Sequence, residues 1–334
     1  MCLSAYLKRL KPRYRAQGKS HPVSGRTGSE GFILRTAWVG FLLWCGTPMA
    51  MASLPVLGEN LEYTLKFRGW ITGFVELDIA KLNLQVEGRM EEITERPAYV
   101  TRMFLTTEPY AKAELLYPVR LSYRSWLDAG GLYPVIAVKS LRHDEDREEL
   151  FWFDRETDYA RHYQNDEKPG TEPITPPMKL RSVTELSPVL WEELVENRSV
   201  KMNGADALDY MGIYHRLRKM PFRDGESVDF VAFNGKEIEH FRVDMQSDHL
   251  QRAGWDRSAY RLTIREVDPE NGDLGDDIQL WISDDDQRLL LRFYAERTFG
   301  AMEGILETGR PQLATTQEPL SEATRNSMET YLDF

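Results

Sequence analysis

The chain has 334 residues, with 42 Lys and Arg against 53 Asp and Glu, 42% hydrophobic and 11% aromatic residues. This composition excludes a disordered chain, a collagen-like repeat and a disulfide scaffold, and a formal net charge of −11 argues against a nucleic-acid binder. No second apolar run approaches the roughly 18 residues of a membrane span, which excludes a polytopic membrane protein.

The first feature in chain order is an export pattern. Residues 1–35 carry Lys8, Arg9, Lys11, Arg13, Arg15, Lys19, Arg26 and Arg35 against one acid, Glu30. An apolar stretch from Thr36 to Gly46 follows, and then Ala50-Met51-Ala52, a small-x-small pattern. That order predicts a secretory signal peptide cleaved after Ala52, and so a periplasmic protein; an uncleaved anchor is the competing reading. Cys45 follows Trp44, whereas a lipoprotein signal needs a small residue there, so no lipidation is expected. Residues 1–52 are read as an N-terminal extension and signal, and 53–334 as one exported β-rich domain. Both cysteines, Cys2 and Cys45, lie in the removed part, so the remainder can form neither a disulfide nor a thiolate. Eight basic residues and one acid leave with it, and 34 basic and 52 acidic residues stay, a formal net charge of −18. No transmembrane span is expected after cleavage.

Next come strands. Leu61, Tyr63, Leu65 and Phe67 alternate with Glu62, Thr64, Lys66 and Arg68, the period of a half-buried strand. A turn over Gly69–Gly73 leads to Val75, Leu77 and Ile79, which are expected to share the apolar face of the first strand. Strands are also expected at Arg96–Thr106, Leu121–Asp128, Val135–Arg142, Glu149–Asp154, Ala160–Tyr163 and Tyr260–Val267. Residues 165–177, rich in Pro, Asp and Glu, read as a loop. Ser187-Pro188 is a helix start for Val189 to Val195. Asp206 is the expected cap of a second helix carrying Leu208, Met211, Tyr214, Leu217 and Arg218, stopped by Pro221. Asn234-Gly235 between Val228–Phe233 and Lys236–Met245 predicts a hairpin. With a two-residue loop, Val231 would face Ile238 and Asp229 would face His240. A further hairpin joins Gln279–Ser283 to Arg288–Ala295, and a C-terminal helix is expected over Leu320–Tyr331. The fold class is mainly β: a large curved antiparallel sheet with a few packed helices.

These segments carry a resemblance. Gly58-Glu59-Asn60-Leu61-Glu62-Tyr63 with Gly69 and Gly73 opens it, and Asp206-Ala207-Leu208-Asp209-Tyr210, Tyr214-His215-Arg216-Leu217-Arg218 and Gly225-Glu226 continue it. Leu280-Trp281-Ile282-Ser283-Asp284-Asp285 and Phe299-Gly300 close it. In order and spacing they resemble the domain-of-unknown-function family 3108 of exported bacterial proteins, over residues 58–308. Leu290 departs from the pattern, where the family more usually has proline. The resemblance implies an exported antiparallel β fold similar to the half-barrels of lipoprotein-localisation factors. It implies no activity and carries over no catalytic residue.

Chemistry-bearing residues are present without a recognised constellation. His143, His162, His215, His240 and His249 form no His-x-x-x-His pair. His240 opposite Asp229 reads as a cross-strand charge pair. His143-Asp144-Glu145-Asp146 would chelate poorly, because neighbours on an extended chain point to opposite faces. Asp284-Asp285-Asp286 and Asp273 to Asp277 lack the spacing of a calcium loop and read as turns. No nucleophile motif occurs in 53–334. No catalytic, metal or ligand-binding residue is therefore assigned, and no cofactor is expected. Trp70, Trp126, Trp152, Trp191, Trp255 and Trp281 could line a groove or fill the core.

Three functions compete. Export and strand-rich patterning favour a non-enzymatic protein of the cell envelope holding an apolar or amphiphilic ligand, such as a lipid, on a curved sheet. A structural protein that engages an envelope protein partner would need an exposed apolar patch. A carbohydrate-active hydrolase would need paired carboxylates.

Overall fold

A computed structural model describes residues 55–93, 96–143, 146–165, 194–252 and 255–307. The signal segment, the loop beyond Asn165, the helix start at Ser187-Pro188 and the C-terminal helix lie outside the described residues.

Period-two patterning runs through nearly all of the described chain, and strands result. They are β1 (Asn60–Gly69), β2 (Leu77–Val86), β3 (Glu91–Ile93), β4 (Arg96–Thr106), β5 (Arg120–Asp128), β6 (Pro134–Arg142), β7 (Asp146–Asp154) and β8 (Tyr159–Asn165). They continue as β9 (Leu194–Lys201), β10 (Ser227–Phe233), β11 (Ile238–Arg252), β12 (Trp255–Val267), β13 (Leu274–Ser283), β14 (Leu290–Arg297) and β15 (Gly300–Leu306). All pair antiparallel in one sheet, ordered β10 to β15, then β1, β2 and β4 to β9, with β3 beside β4. The sheet does not close, and β9 and β10 are its ends. The described α-helices are α1 (Ala111–Leu116) and α2 (Tyr210–Lys219), and neither is long enough to cross a membrane.

The sheet curls around α2. Asp209, the cap of that helix, accepts hydrogen bonds from Gly212 N at 2.6 Å and from the Tyr123 hydroxyl of β5 at 3.0 Å. Nine residues on from that cap, Arg218 clamps Glu59 beside β1 at 2.6 and 2.7 Å and donates to the Gln287 and Arg288 carbonyls before β14. Leu208 bridges Ala232 of β10. Strands far apart in the sheet can meet one ten-residue helix only if the sheet bends over it. The face against α2 is the inner face. On it Leu61, Tyr63 and Leu65 are fully buried, each contributing roughly 1.5–3 kcal/mol.

Four expectations are corrected. Leu77 pairs with Phe67 on the apolar face of β1 as expected, but a bulge opposite Leu65/Lys66 takes up Ile79, so beyond it β2 buries Ala80, Leu82, Leu84 and Val86, and Val75 lies outside the strand and is 60% exposed. The Asn234-Gly235 hairpin has four loop residues: Phe233 pairs with Ile238, Val231 with His240 and Asp229 with Arg242. The slip is by two residues, which keeps every side chain on its expected face. Leu194 and Val195 belong to β9, not to a helix, and the cap of α2 is Asp209 rather than Asp206.

None of the described tryptophan side chains lines the inner face. Trp126 and Trp152 sit on the outer face with Val100, Ile136 and Leu150, on the opposite parity from Tyr123. Trp281 is likewise outward, under Arg292 at 4.2 Å and bonded to Asp248. Trp70 is 65% exposed; the side chains of Trp191 and Trp255 lie outside the described set.

Candidate inner-face site

Following the cross-strand pairs shows how the inner face changes character. One row runs Leu280, Phe293, Gly304, Leu65 and Ala80 across β13, β14, β15, β1 and β2. The row beside it runs Ile278, Ala295, Met302, Phe67 and Leu77. These are apolar, and Phe67, Leu77, Leu280, Phe293 and Met302 are only partly buried, so solvent reaches this wall.

A third row starts apolar and turns polar. It passes from Leu61 through Leu84 and Met103 to Tyr123, then Lys139 on β6, Glu149 on β7 and Gln164 on β8. Lys139 Nζ lies 3.1 Å from both Glu149 carboxylate oxygens. Arg147 Nε is 3.4 Å from Glu149 Oε1, and Arg147 Nη2 donates to Gln164 Oε1 at 3.3 Å. His162 Nε2 is 3.4 Å from Glu149 Oε2, close enough for charge attraction but off axis for a hydrogen bond. Asn197 Nδ2 is 3.2 Å from His162 Nδ1 on the other side of the ring.

The electrostatics follow from this crowding. Burial would push the Glu149 carboxyl up, but the neighbouring His162 and the Lys139 ammonium outweigh it and hold the pKa at about 2. Glu149 is 7% exposed, whereas the Lys139 and Arg147 side chains are 22% and 32% exposed. The anion is sealed while its cations reach solvent. The Phe151 ring lies tilted against His162 at 5.0 Å, and Gly235 at the β10–β11 tip lies against both rings.

Other titratable residues are placed elsewhere. His143 meets Tyr117 and the Pro118 carbonyl; Asp144 and Glu145 lie outside the described residues. His215 is buried on α2, His240 is on the exposed side of β11, and His249 pairs with Asp256. Asp285 accepts from the Gln287 and Arg288 amides, as turn chemistry requires, and Asp276 pairs with Arg297. Among the described residues no three His, Cys, Asp or Glu side chains form a group able to hold a metal. Sequence reading assigned no site and missed Lys139, Arg147 and Glu149. The two-residue spacing of Arg147 and Glu149 along β7 was the available signal, but the other faces of β6 and β7 are also buried, which hid which set points inward.

A family model described as "Protein of unknown function (DUF3108)" matches residues 62–307. No curated protein matches the chain. Among solved structures, it is similar to a beta-barrel-like protein of the domain of unknown function DUF1849 from Brucella abortus. The two share 10% identity over 76% of this chain and 97% of that one, with a TM-score of 0.43.

Proposed function

We propose that this chain, which belongs to the DUF3108 family of proteins of unknown function, is a non-enzymatic carrier of an amphiphilic ligand in the cell envelope. The observation that carries the reading is the two-toned inner face. A partly accessible apolar wall at Phe67, Leu280, Phe293 and Met302 passes across the same sheet into a polar wall at Lys139, Arg147 and Glu149. An amphiphile has the same division, and both of its parts would be matched without a buried unpaired polar group. Export by the N-terminal signal belongs to the same proposal and would deliver the carrier to the periplasm.

The test is binding of the apolar fluorophore N-phenyl-1-naphthylamine. Saturable binding is expected, reduced by Met302→Asp on the inner face and unchanged by Lys66→Gln on the outer face. Absent binding, or equal effects of the two substitutions, would overturn the reading.

A second reading rests on one observation. Trp70, Phe74 and Val75 in the β1–β2 connection are 65, 73 and 60% exposed, and Leu115 and Leu116 of α1 are 86 and 74% exposed. Exposed apolar groups of this size mark interaction surfaces. Crosslinking in the host that trapped a protein partner through position 115, together with failure to bind the fluorophore, would select this reading.

A further inference from the structure

We propose that the polar wall of β6 and β7 is the seat of an anionic head group, so that the ligand is an acidic amphiphile bearing a phosphate or carboxylate. This rests on the reading of the inner face as an amphiphile site and names its ligand class. The argument is one of charge and donor count. Lys139 and Arg147 stand around a single carboxylate, Glu149, with His162 on its other side. Even with the imidazole neutral, the group carries one net positive charge, inside a protein whose formal net charge is −11.

Donors are in surplus as well. Glu149 takes two contacts from Lys139, which has three N–H groups, and one from Arg147 Nε. Arg147 gives one more N–H to Gln164, and its guanidinium has five. Glu149 holds these cations in position while using only part of their capacity. Both cations are partly exposed, and their cross-strand row leads through Tyr123, buried against the cap of α2, and Met103 to the apolar wall. An anion there would meet preorganised donors, with its tail directed along the apolar rows.

Calorimetric titration with dodecyl phosphate, dodecyl maltoside and inorganic phosphate tests the assignment. Dodecyl phosphate is expected to bind about tenfold or more tightly than the maltoside, as one added charge-assisted contact would give. Inorganic phosphate should bind more weakly than dodecyl phosphate. Lys139→Met and Arg147→Met should each erase most of the preference while leaving maltoside binding in place. Glu149→Gln should tighten dodecyl phosphate binding, a gain that a purely structural role would not produce. Equal affinity for the two detergents overturns the head-group assignment and leaves the amphiphile reading standing. Failure of both to bind overturns both proposals. Inorganic phosphate binding as tightly as dodecyl phosphate also overturns both, because the apolar wall would then contribute nothing. Should Lys139→Met not fold, an unchanged preference in Arg147→Met, the more exposed of the two, decides against the proposal.

Discussion

At the residue scale, the side chain that most constrains the molecule is Arg218. Its guanidinium is almost fully buried and donates to Glu59, to the Tyr214 hydroxyl and to the carbonyls of Gln287 and Arg288. Burial opposes the charge, but Tyr214 and Glu59 outweigh it and raise the pKa. Removing one partner of such a pair strands the other, so Glu59→Ala should lower unfolding stability by about 3–5 kcal/mol. The double variant Glu59→Leu with Arg218→Met should cost less than that single change. Denaturant titration checks both, and a Glu59→Ala cost under ~1 kcal/mol would contradict the account. His215 gives a pH prediction. Burial, then the Arg218 charge, holds its pKa well below 6.5, so it stays neutral in the fold and takes up a proton only on unfolding. Its contribution is complete above pH 6.5 and is lost as pH falls below that value. The Glu149 contribution, with a folded pKa of about 2 against 4.5, is lost only below pH 4.5. Stability measured between pH 6.5 and 4.5 should therefore fall in the wild type and flatten in His215→Gln. Neither burial was legible in the sequence, where His215 is one of five uninformative histidines.

At the element scale, the hairpin of β10 and β11 shows what local chemistry determines and what it leaves open. Asn-Gly predicts a reversal, and one forms, but its four-residue loop follows from packing. Gly235 has φ +94°, and an added Cβ would lie 3.0 Å from the Phe151 ring on β7. Gly204 has φ +71° with open space around it. Gly204→Ala should thus cost about 1 kcal/mol for backbone strain alone. Gly235→Ala should cost about 2 kcal/mol, because Phe151 must also shift. Equal losses in thermal or chemical denaturation would show that the tip does not bear on β7. In α2 the pattern Met211, Tyr214 and Leu217 was readable, because one buried stripe repeats at helical spacing, whereas Leu208, expected in the same helix, lies before its cap and bridges β10. Its cap was misread: Asp206 and Asp209 are chemically equal in sequence, and only the position of Tyr123 selects Asp209.

At the scale of the whole molecule, the consequential feature is that the sheet has ends. β9 and β10 do not pair as strands. Arg198 Nε of β9 donates to the Lys236 carbonyl in the β10–β11 loop at 3.2 Å, and Leu208, between β9 and α2, exchanges backbone hydrogen bonds with Val231 and Phe233 of β10. β1 is flanked by β15 and β2 along most of its length. Local opening is easiest where a strand has one partner, so amide hydrogen exchange should be about 100-fold slower in β1 than in β9 and β10. Uniform protection would mean that the seam is as strong as a ladder. An easily opened seam beside the inner face would also give an amphiphile its way in, and bound dodecyl phosphate should slow exchange at β10 selectively.

The sequence by itself determined the strand-rich class, most strand positions and the side-chain set of most strands, because alternation is a local property and survives any slip by two. It also carried the family resemblance, spread over motifs too weak to identify it singly. Tertiary structure decided the rest. The bulge at Leu65/Lys66 moved the buried set of β2, since register depends on the partner strand rather than on the strand itself. Residues 194–201 became a strand because β8 offers them an edge, against a helical spacing that suggested otherwise. The site was decided there as well. Lys139, Arg147 and Glu149 become one group only when β6 and β7 pair, and they become an interior only when the sheet bends over α2. Contacts between strands and the curvature of a sheet are long-range quantities, and no window of sequence contains them.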